Sequence, residues 1–481
     1  MIKSKIETCP EQGRGNLKSK PVPSAAEGFP PDADEYHKTI FEALEQADPD
    51  VYQLIAREYQ RRQSTLQLIA AENQCSPAVL AALGSVIQNK TTEGFVGARF
   101  HGGCQVVDQV EELAIKRAKD AFGAKYADVQ PHSGTAANQI VLTALLQRDD
   151  KILSLGLDQG GHLSHGARVS FTGKFFSVEN YYVDKDSYLL DYGAIRDKAV
   201  AVKPKLIICG ASAYCRTIDF KKFREIADEV GAYLLADISH IAGLVIAGAH
   251  PSPVDYAHFS TTSTYKPGGP RGGLIIMGKD YDQKIKVGTK SMPLWEHIER
   301  TTFPGVQGTP YLNNIAAKAV FFKETLCEEY RTRQFKIIEN ARALAKSLLD
   351  LGHDVVTGGT DNHMILVNVA NLREACPEPS RRGLTGIVAQ KCLEDCGIVV
   401  NMNRLPYDKK GPTITSGIRL GTPIVTKDGM GPQEMHAIAQ LIDAVLRKVE
   451  IISDAEYRID RSFQNQIKQK VEALCSKFPM Q

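Results

Sequence analysis

Between Ala127 and Ala247 short apolar runs alternate with helical patterns, and few folds accept that alternation. Ile152-Leu153-Ser154-Leu155, Leu206-Ile207-Ile208-Cys209 and Tyr233-Leu234-Leu235-Ala236 are bounded apolar runs of strand length. Phe220 to Val230 instead repeats its apolar residues at helical spacing. Strands separated by helices pair in parallel, because a helical crossover returns the chain to the same end of the sheet. The expectation is an α/β fold with a mostly parallel sheet covered by helices.

The flanking regions are helical. Helical periodicity runs from Tyr36 to about Ile69, through Ile40, Leu44, Val51, Leu54, Ile55 and Tyr59. It returns from Val107 to Phe122 and from Ile315 to Leu351. The last of these leads into a smaller C-terminal domain, with a strand at Met364–Val369 and helices near Met435–Ile452 and Ile459–Phe478. Residues 1–35 hold few large apolar side chains and read as a mobile arm. The expected division is therefore arm 1–35, large domain 36–325 and small domain 326–481. A 481-residue chain that is 43% hydrophobic can fill two or three such cores.

Net charge is +2, which gives no electrostatic basis for binding nucleic acid. No apolar run is long enough to span a bilayer. The N-terminus lacks a secretory hydrophobic core, and Glu7 and Glu11 do not favour a transit peptide. Ten cysteines are scattered; Cys392 and Cys396 lie one helical turn apart, with no second ligand pair. The reading is reduced thiols in a cytoplasmic protein, without a metal site.

Lys266 lies in Thr261-Thr262-Ser263-Thr264-Tyr265-Lys266-Pro267-Gly268-Gly269-Pro270-Arg271, between small hydroxyl residues and a Gly/Pro-rich turn. A lysine suits such a turn poorly unless its amine has work there. A desolvated lysine amine attacks carbonyls and forms a Schiff base. Pyridoxal phosphate is the usual partner of such a lysine, and it needs an acidic residue at its pyridine nitrogen. Asp237, at the end of an apolar strand-like run, supplies one. Ser133-Gly134-Thr135 opens a helical stretch, where small residues and the helix dipole suit a phosphate. Taken singly, Lys266 reads equally as a surface-turn lysine and the triplet as an ordinary helix cap.

The surrounding blocks separate these readings. They are Gln130-Pro131-His132-Ser133-Gly134, Gly160-Gly161-His162-Leu163, Ser212-Ala213-Tyr214, Asp237-Ile238-Ser239-His240, the Lys266 run, Phe303-Pro304-Gly305-Val306-Gln307-Gly308, Gly358-Gly359-Thr360-Asp361-Asn362-His363 and Ser416-Gly417-Ile418-Arg419. In this order, from about Leu68 to Pro423, they resemble the serine hydroxymethyltransferases. The resemblance implies a fold-type I pyridoxal phosphate enzyme, with a mostly parallel seven-stranded sheet and a smaller C-terminal α/β domain. It implies a homodimer or homotetramer with shared active sites. It also implies interconversion of serine and glycine with tetrahydrofolate as the one-carbon acceptor. Carried over residue by residue, Lys266 holds the cofactor and Asp237 faces its pyridine nitrogen. His162 stacks on the ring, and His240 and Ser212 lie near the ring oxygen and the substrate carboxylate. Ser133, Gly134, Thr135, Tyr265 and, from a neighbouring subunit, Gly308 contact the phosphate. Arg419 holds the amino-acid carboxylate, a task suited to its planar fork. Glu93 carries the proton and reaches the neighbouring subunit's site. Leu157, Gly161, Leu163 and Asn403 contact the pterin.

The chain departs from that family around the same site. Thr91 and Phe100-His101 stand where the family usually has tyrosines, and Ala71 stands where it has serine. Tyr265 replaces the usual histidine before the lysine, and Pro267-Gly268 the usual pair after it. Each lost buried hydrogen bond costs about 1 kcal/mol. The departures argue for an altered substrate shape or aldehyde acceptor rather than loss of the cofactor chemistry. The alternatives are therefore a folate-independent threonine aldolase or transaldolase and a hydroxymethyltransferase acting on an α-substituted serine. Against a third, a catalytically silent scaffold or nucleic-acid regulator, stand the intact Lys266 and Asp237 and the absence of a basic stretch.

Overall fold

The computed structural model describes residues 40–373 and 383–480. The arm expected at residues 1–35 lies outside them, as do Cys9 and Cys376.

The alternating region builds one seven-stranded sheet. Its strands are β1 (Tyr126–Asp128), β2 (Lys151–Leu155), β3 (Ser177–Tyr181), β4 (Leu206–Cys209), β5 (Tyr233–Asp237), β6 (Phe259–Ser263) and β7 (Gly273–Met277). The spatial order is β1-β7-β6-β5-β4-β2-β3, and only β7 runs against the others. Strands β4 to β7 are buried at every position or all but one, as expected for a sheet covered on both faces. Two apolar clusters pack against it, one containing Ile207, Leu234, Ala236 and Phe321, the other Ile208, Leu235, Phe259 and Ile275. These alternate residues of β4 and β5 point to opposite faces.

A second core lies in the C-terminal region around a four-stranded sheet. Its strands are β8 (Asp354–Val355), β9 (Met364–Asn368), β10 (Asn401–Asn403) and β11 (Gly417–Gly421), in the order β8-β9-β11-β10. Leu66 and Leu68 belong to this core, and Leu66–Gln67 pairs in parallel with Ile398–Val399. The segment Leu66–Leu68 is thus tied to the C-terminal region, a pairing invisible to local periodicity.

Three helical stretches differ from their sequence reading. The one expected from Tyr36 to Ile69 is two helices, Ile40–Ala47 and Pro49–Ser64. Asp48 breaks it: its carboxylate accepts from Val51 N at 3.0 Å and Pro49 starts the new helix. The stretch from Ile315 to Leu351 is Leu312–Thr325 and Glu328–Asp350, because Cys327 adopts an extended conformation between them. The helix expected to reach Ile452 stops at Lys448, and Glu450–Ile451 instead pairs with Tyr457–Arg458.

Several histidines are buried in a form that resists protonation. Burial pushes His258 down to about 4 and His363 to about 3, and lowers His250 and His353. The unfolded chain binds these protons near pH 6.5, whereas the folded chain does not. Stability is therefore retained above pH 6.5 and lost as pH falls toward 4. Urea unfolding midpoints measured between pH 7.5 and 4.5 should fall steadily; a flat profile would contradict these burials.

Candidate active site

Strands β1, β2, β4, β5 and β6 run in one direction, so their C-terminal ends share one edge of the sheet. Strand order reverses between β2 and β4, and such a crevice is where open α/β sheets bind ligands. The segment after β1 brings Ser133, Gly134 and Thr135. The loop after β2 brings His162 and His165, and that after β4 brings Ser212. Strand β5 ends in Asp237, followed by Ser239 and His240. Strand β6 ends in Ser263, followed by Tyr265 and Lys266. With Ala211 and Arg271 these residues line one cavity of about 210 Å³.

Asp237 is the most heavily bonded group there. Its Oδ2 accepts from Asn138 Nδ2 at 2.8 Å and from His165 Nε2 at 2.9 Å. Its Oδ1 accepts from the Ser239 hydroxyl at 2.6 Å and backbone N–H at 3.0 Å. Burial alone would push this carboxyl up. The hydrogen bonds from His165 and the Ser239 hydroxyl and the electrostatic pull of the two nearby imidazoles outweigh burial and hold it far below the carboxylate range. An ionised carboxylate is thus fixed at the cavity wall. His162, His165 and Asp237 are the one trio of metal-ligand type among the described residues, with ligand atoms within 4.8 Å of one another. Their polar atoms are engaged with each other and with Asn138, Ser164 and Ser239.

His162 accepts at Nδ1 from Ser164 N at 3.2 Å, which leaves its proton on Nε2. Burial lowers it to about 4, so the ring is neutral at pH 7. Lys266 Nζ donates to Ser263 Oγ at 3.0 Å. The Tyr265 ring sits 4.8 Å from that amine and 4.4 Å from the Arg271 guanidinium, flanked by both cations. Asn73 Nδ2 donates to the Lys266 carbonyl at 2.9 Å and fixes the turn.

The Ser133 hydroxyl caps the helix Gly134–Leu145, accepting from Ala136 N at 3.0 Å. A Cβ on Gly134 would lie 3.1 Å from Ser263 N and 3.2 Å from Ser263 Cβ. Glycine therefore lets this helix end approach the lysine-bearing strand.

Arg419 lies on β11 in the second sheet, 9% exposed. It is not in the cavity lining; it reaches the wall by donating Nη1 to the Ser212 carbonyl, while Nε donates to Asn401 Oδ1 at 3.3 Å. Burial lowers the guanidinium to about 10, which leaves it charged at neutral pH. No carboxylate pairs with it among the described residues. A buried cation without an anion is costly, so the arrangement calls for an anion from a ligand.

Glu93 and Gly308 lie outside the cavity lining, but together: a Cβ on Gly308 would sit 4.0 Å from Glu93 Oε1. Leu157, Gly161, Leu163 and Asn403 are also outside it. Leu157 and Leu163 are exposed on the loop that carries His162. A Cβ on Gly161 would fall 2.2 Å from the Leu155 carbonyl, so that glycine has a packing role of its own. Asn403 lies on β10 and donates to the Arg404 carbonyl at 2.5 Å. Sequence reasoning missed His165, Asn138, Ser239 and Ser263. His165 follows His162 by three residues and Ser239 follows Asp237 by two, so both carried a short-range signal; Asn138 carried none.

Comparison with known proteins agrees with this geometry. Residues 44–442 match the sequence model of the family described as serine hydroxymethyltransferase. The chain is 46% identical over 438 residues to a serine hydroxymethyltransferase of Methanosarcina barkeri (strain Fusaro / DSM 804), covering 91% of this chain and 99% of that one. The chain belongs to the serine hydroxymethyltransferase family. That family has the fold-type I architecture, and the seven-stranded, mostly parallel sheet accords with it. The site also fits the pyridoxal phosphate the family implies: it combines a lysine amine, an ionised buried carboxylate, a neutral imidazole and a helix N-terminus around one cavity. Most of the family departures lie outside this lining. Thr91 and His101 are exposed, and Phe100 is 66% exposed with its ring 5.5 Å from that of Phe303. Only Tyr265 among them lines the cavity.

Proposed function

We propose that this protein interconverts serine and glycine with tetrahydrofolate as the one-carbon acceptor, using pyridoxal phosphate held at Lys266. The observation that carries the reading is the pairing of Lys266 with an ionised Asp237 in one cavity, beside a buried Arg419 that lacks an anion. Bound there, the cofactor supplies an electron sink for cleavage between Cα and Cβ of a β-hydroxy amino acid. The chain's own groups do the rest. Asp237 holds a proton on the pyridine nitrogen. His162, neutral, offers a flat face to the ring. Ser133, Gly134, Thr135 and Tyr265 hold the phosphate. Arg419 takes the substrate carboxylate, and Ser212 and His240 orient it and the ring oxygen. Leu157, Gly161, Leu163 and Asn403 hold the pterin.

Glu93 moves the proton of the transferred unit, and we infer that it and Gly308 serve the site of a second copy. Two facts support this: they lie together but outside their own chain's cavity, and exposed Phe100 shares their region. A homodimer is the smallest assembly that meets this need. No helix among the described residues is long and apolar enough to cross a membrane, and all eight described cysteines are free. Both facts suit the cytoplasmic setting we infer.

Nothing in the comparisons favours an aldolase, a transaldolase or an α-substituted substrate. Turnover of serine, α-methylserine and threonine should be measured with and without tetrahydrofolate. The expected result is folate-dependent release of glycine from serine, at least about tenfold faster than folate-independent cleavage of threonine, a difference of about 1.4 kcal/mol in barrier. Faster threonine cleavage, with no folate response, would move the assignment to an aldolase.

A further inference from the structure

His240 and His363 form a pair that crosses between the two sheets. His240 follows β5 in the large sheet, and His363 immediately precedes β9 in the small one. Their ring centroids lie 5.6 Å apart with planes 17° apart, and His240 Nδ1 lies 3.4 Å from His363 Nε2. That same Nε2 lies 3.1 Å from the Ala70 carbonyl oxygen. A carbonyl only accepts, so His363 carries its proton on Nε2. The one N–H of His363 is then shared between the Ala70 carbonyl, the closer acceptor, and His240 Nδ1, which faces it with a lone pair. Both rings are neutral, because burial holds each far below the ordinary histidine value. The single proton of His240 is therefore on Nε2, at the edge of the ring away from His363.

We propose that His363 is a positioning residue: it locks His240 in the Nε2–H tautomer, so that His240 presents a fixed hydrogen-bond donor to an acceptor oxygen bound above Lys266. His240 lines the cavity, and its Nε2 meets no protein partner among the described residues. His363 is 4% exposed and outside the main cavity lining, though with His240 and Lys266 it lines a small adjoining pocket, and its own Nδ1 is buried without a partner among the described residues. A buried, unpaired ring nitrogen is a liability for packing alone. It is explained if the ring's other nitrogen has a task, since the tautomer of one histidine is set by what its neighbour offers. Ala70 completes the lock from a third segment, the one that enters the second core at Leu66 and Leu68.

The functional consequence rests on the proposed pyridoxal phosphate site; the tautomer does not, so the two are tested separately. Histidine side-chain nitrogen NMR of the holoenzyme, with His240 assigned through His240→Asn, should show a protonated Nε2 and an unprotonated Nδ1. A proton on Nδ1, or on both, overturns the proposal whatever the activity. Two variants supply the second readout. His363→Gln keeps an amide that donates to both the Ala70 carbonyl and His240 Nδ1; His363→Leu removes the donor. The leucine variant should lose about tenfold in kcat, with the amino-acid KM within about twofold, and His240 should become a tautomer mixture. The glutamine variant should retain the tautomer and most of kcat. Equal behaviour of the two variants would mean that His363 only fills space. A correct tautomer in a protein with no folate-dependent serine turnover would instead leave the lock standing and remove the proposed reaction.

Discussion

Lys266→Ala is expected to abolish turnover, by about 10⁴-fold or more in kcat, as loss of a covalently acting group does. The protein should remain folded. In the structure the amine makes one hydrogen bond, to Ser263 Oγ, and its ring contact is with the adjacent Tyr265. Losing that bond costs about 1 kcal/mol. The turn itself is held by other groups: Asn73 on the Lys266 carbonyl and Tyr330 on the Pro267 carbonyl. The visible absorption of bound cofactor should change at the same time, because its covalent anchor is gone. Normal turnover in this variant would remove the whole assignment. The same variant also tests the shared site. Mixed with Glu93→Gln and reassembled, it should regain about a quarter of the wild-type sites, since half of randomly mixed dimers are hybrids and each hybrid has one intact site. No regain would place Glu93 in its own chain's chemistry.

Arg419→Ala should raise the amino-acid KM by two to three orders of magnitude while pyridoxal phosphate stays bound. Removing one partner of a buried charge pair costs about 2–5 kcal/mol. Among the described residues Arg419 donates hydrogen bonds to Ser212 and Asn401, and neither is charged. Its positive charge is therefore free for a carboxylate, with the Ser212 contact aiming the fork at the cavity wall. Arg419→Lys should fall between, because it keeps charge but loses the planar fork. The measurement is serine saturation with the cofactor spectrum recorded in parallel. An unchanged KM would mean that the carboxylate sits elsewhere.

These two residues differ in how far the sequence revealed them. Lys266 stands in a run whose composition is odd on its own terms, a cation between hydroxyl residues and a tight turn. Arg419 lies on an unremarkable short strand; only the resemblance singled it out. Its reach to Ser212, 207 residues away, is set by how the second sheet meets the first. The departures divide in the same way. Tyr265 was legible as a change in the cavity because it adjoins Lys266. Phe100 and His101 read as changes at the active site; both are exposed and outside their own chain's cavity, in the region of Glu93 that we assign to a second copy's site.

The parallel sheet was legible before any packing was known, since buried strands and covering helices each leave a periodicity within a dozen residues. The sequence also singled out Lys266 and Asp237 as candidates, because Asp237 ends a strand and Lys266 follows one by three residues, both within local boundaries. The assembled fold was needed to show that helical runs break at Asp48 and Cys327, that Leu66 enters the C-terminal core, and that His165 and Asn138 hold Asp237. It alone joined His240 to His363 across 123 residues. Periodicity reports which side of an element is buried, and it carries no information about the element packed against that side. Hydrogen-bond partners and the tautomers they fix belong to that second element, so they appear only when the sheets are assembled.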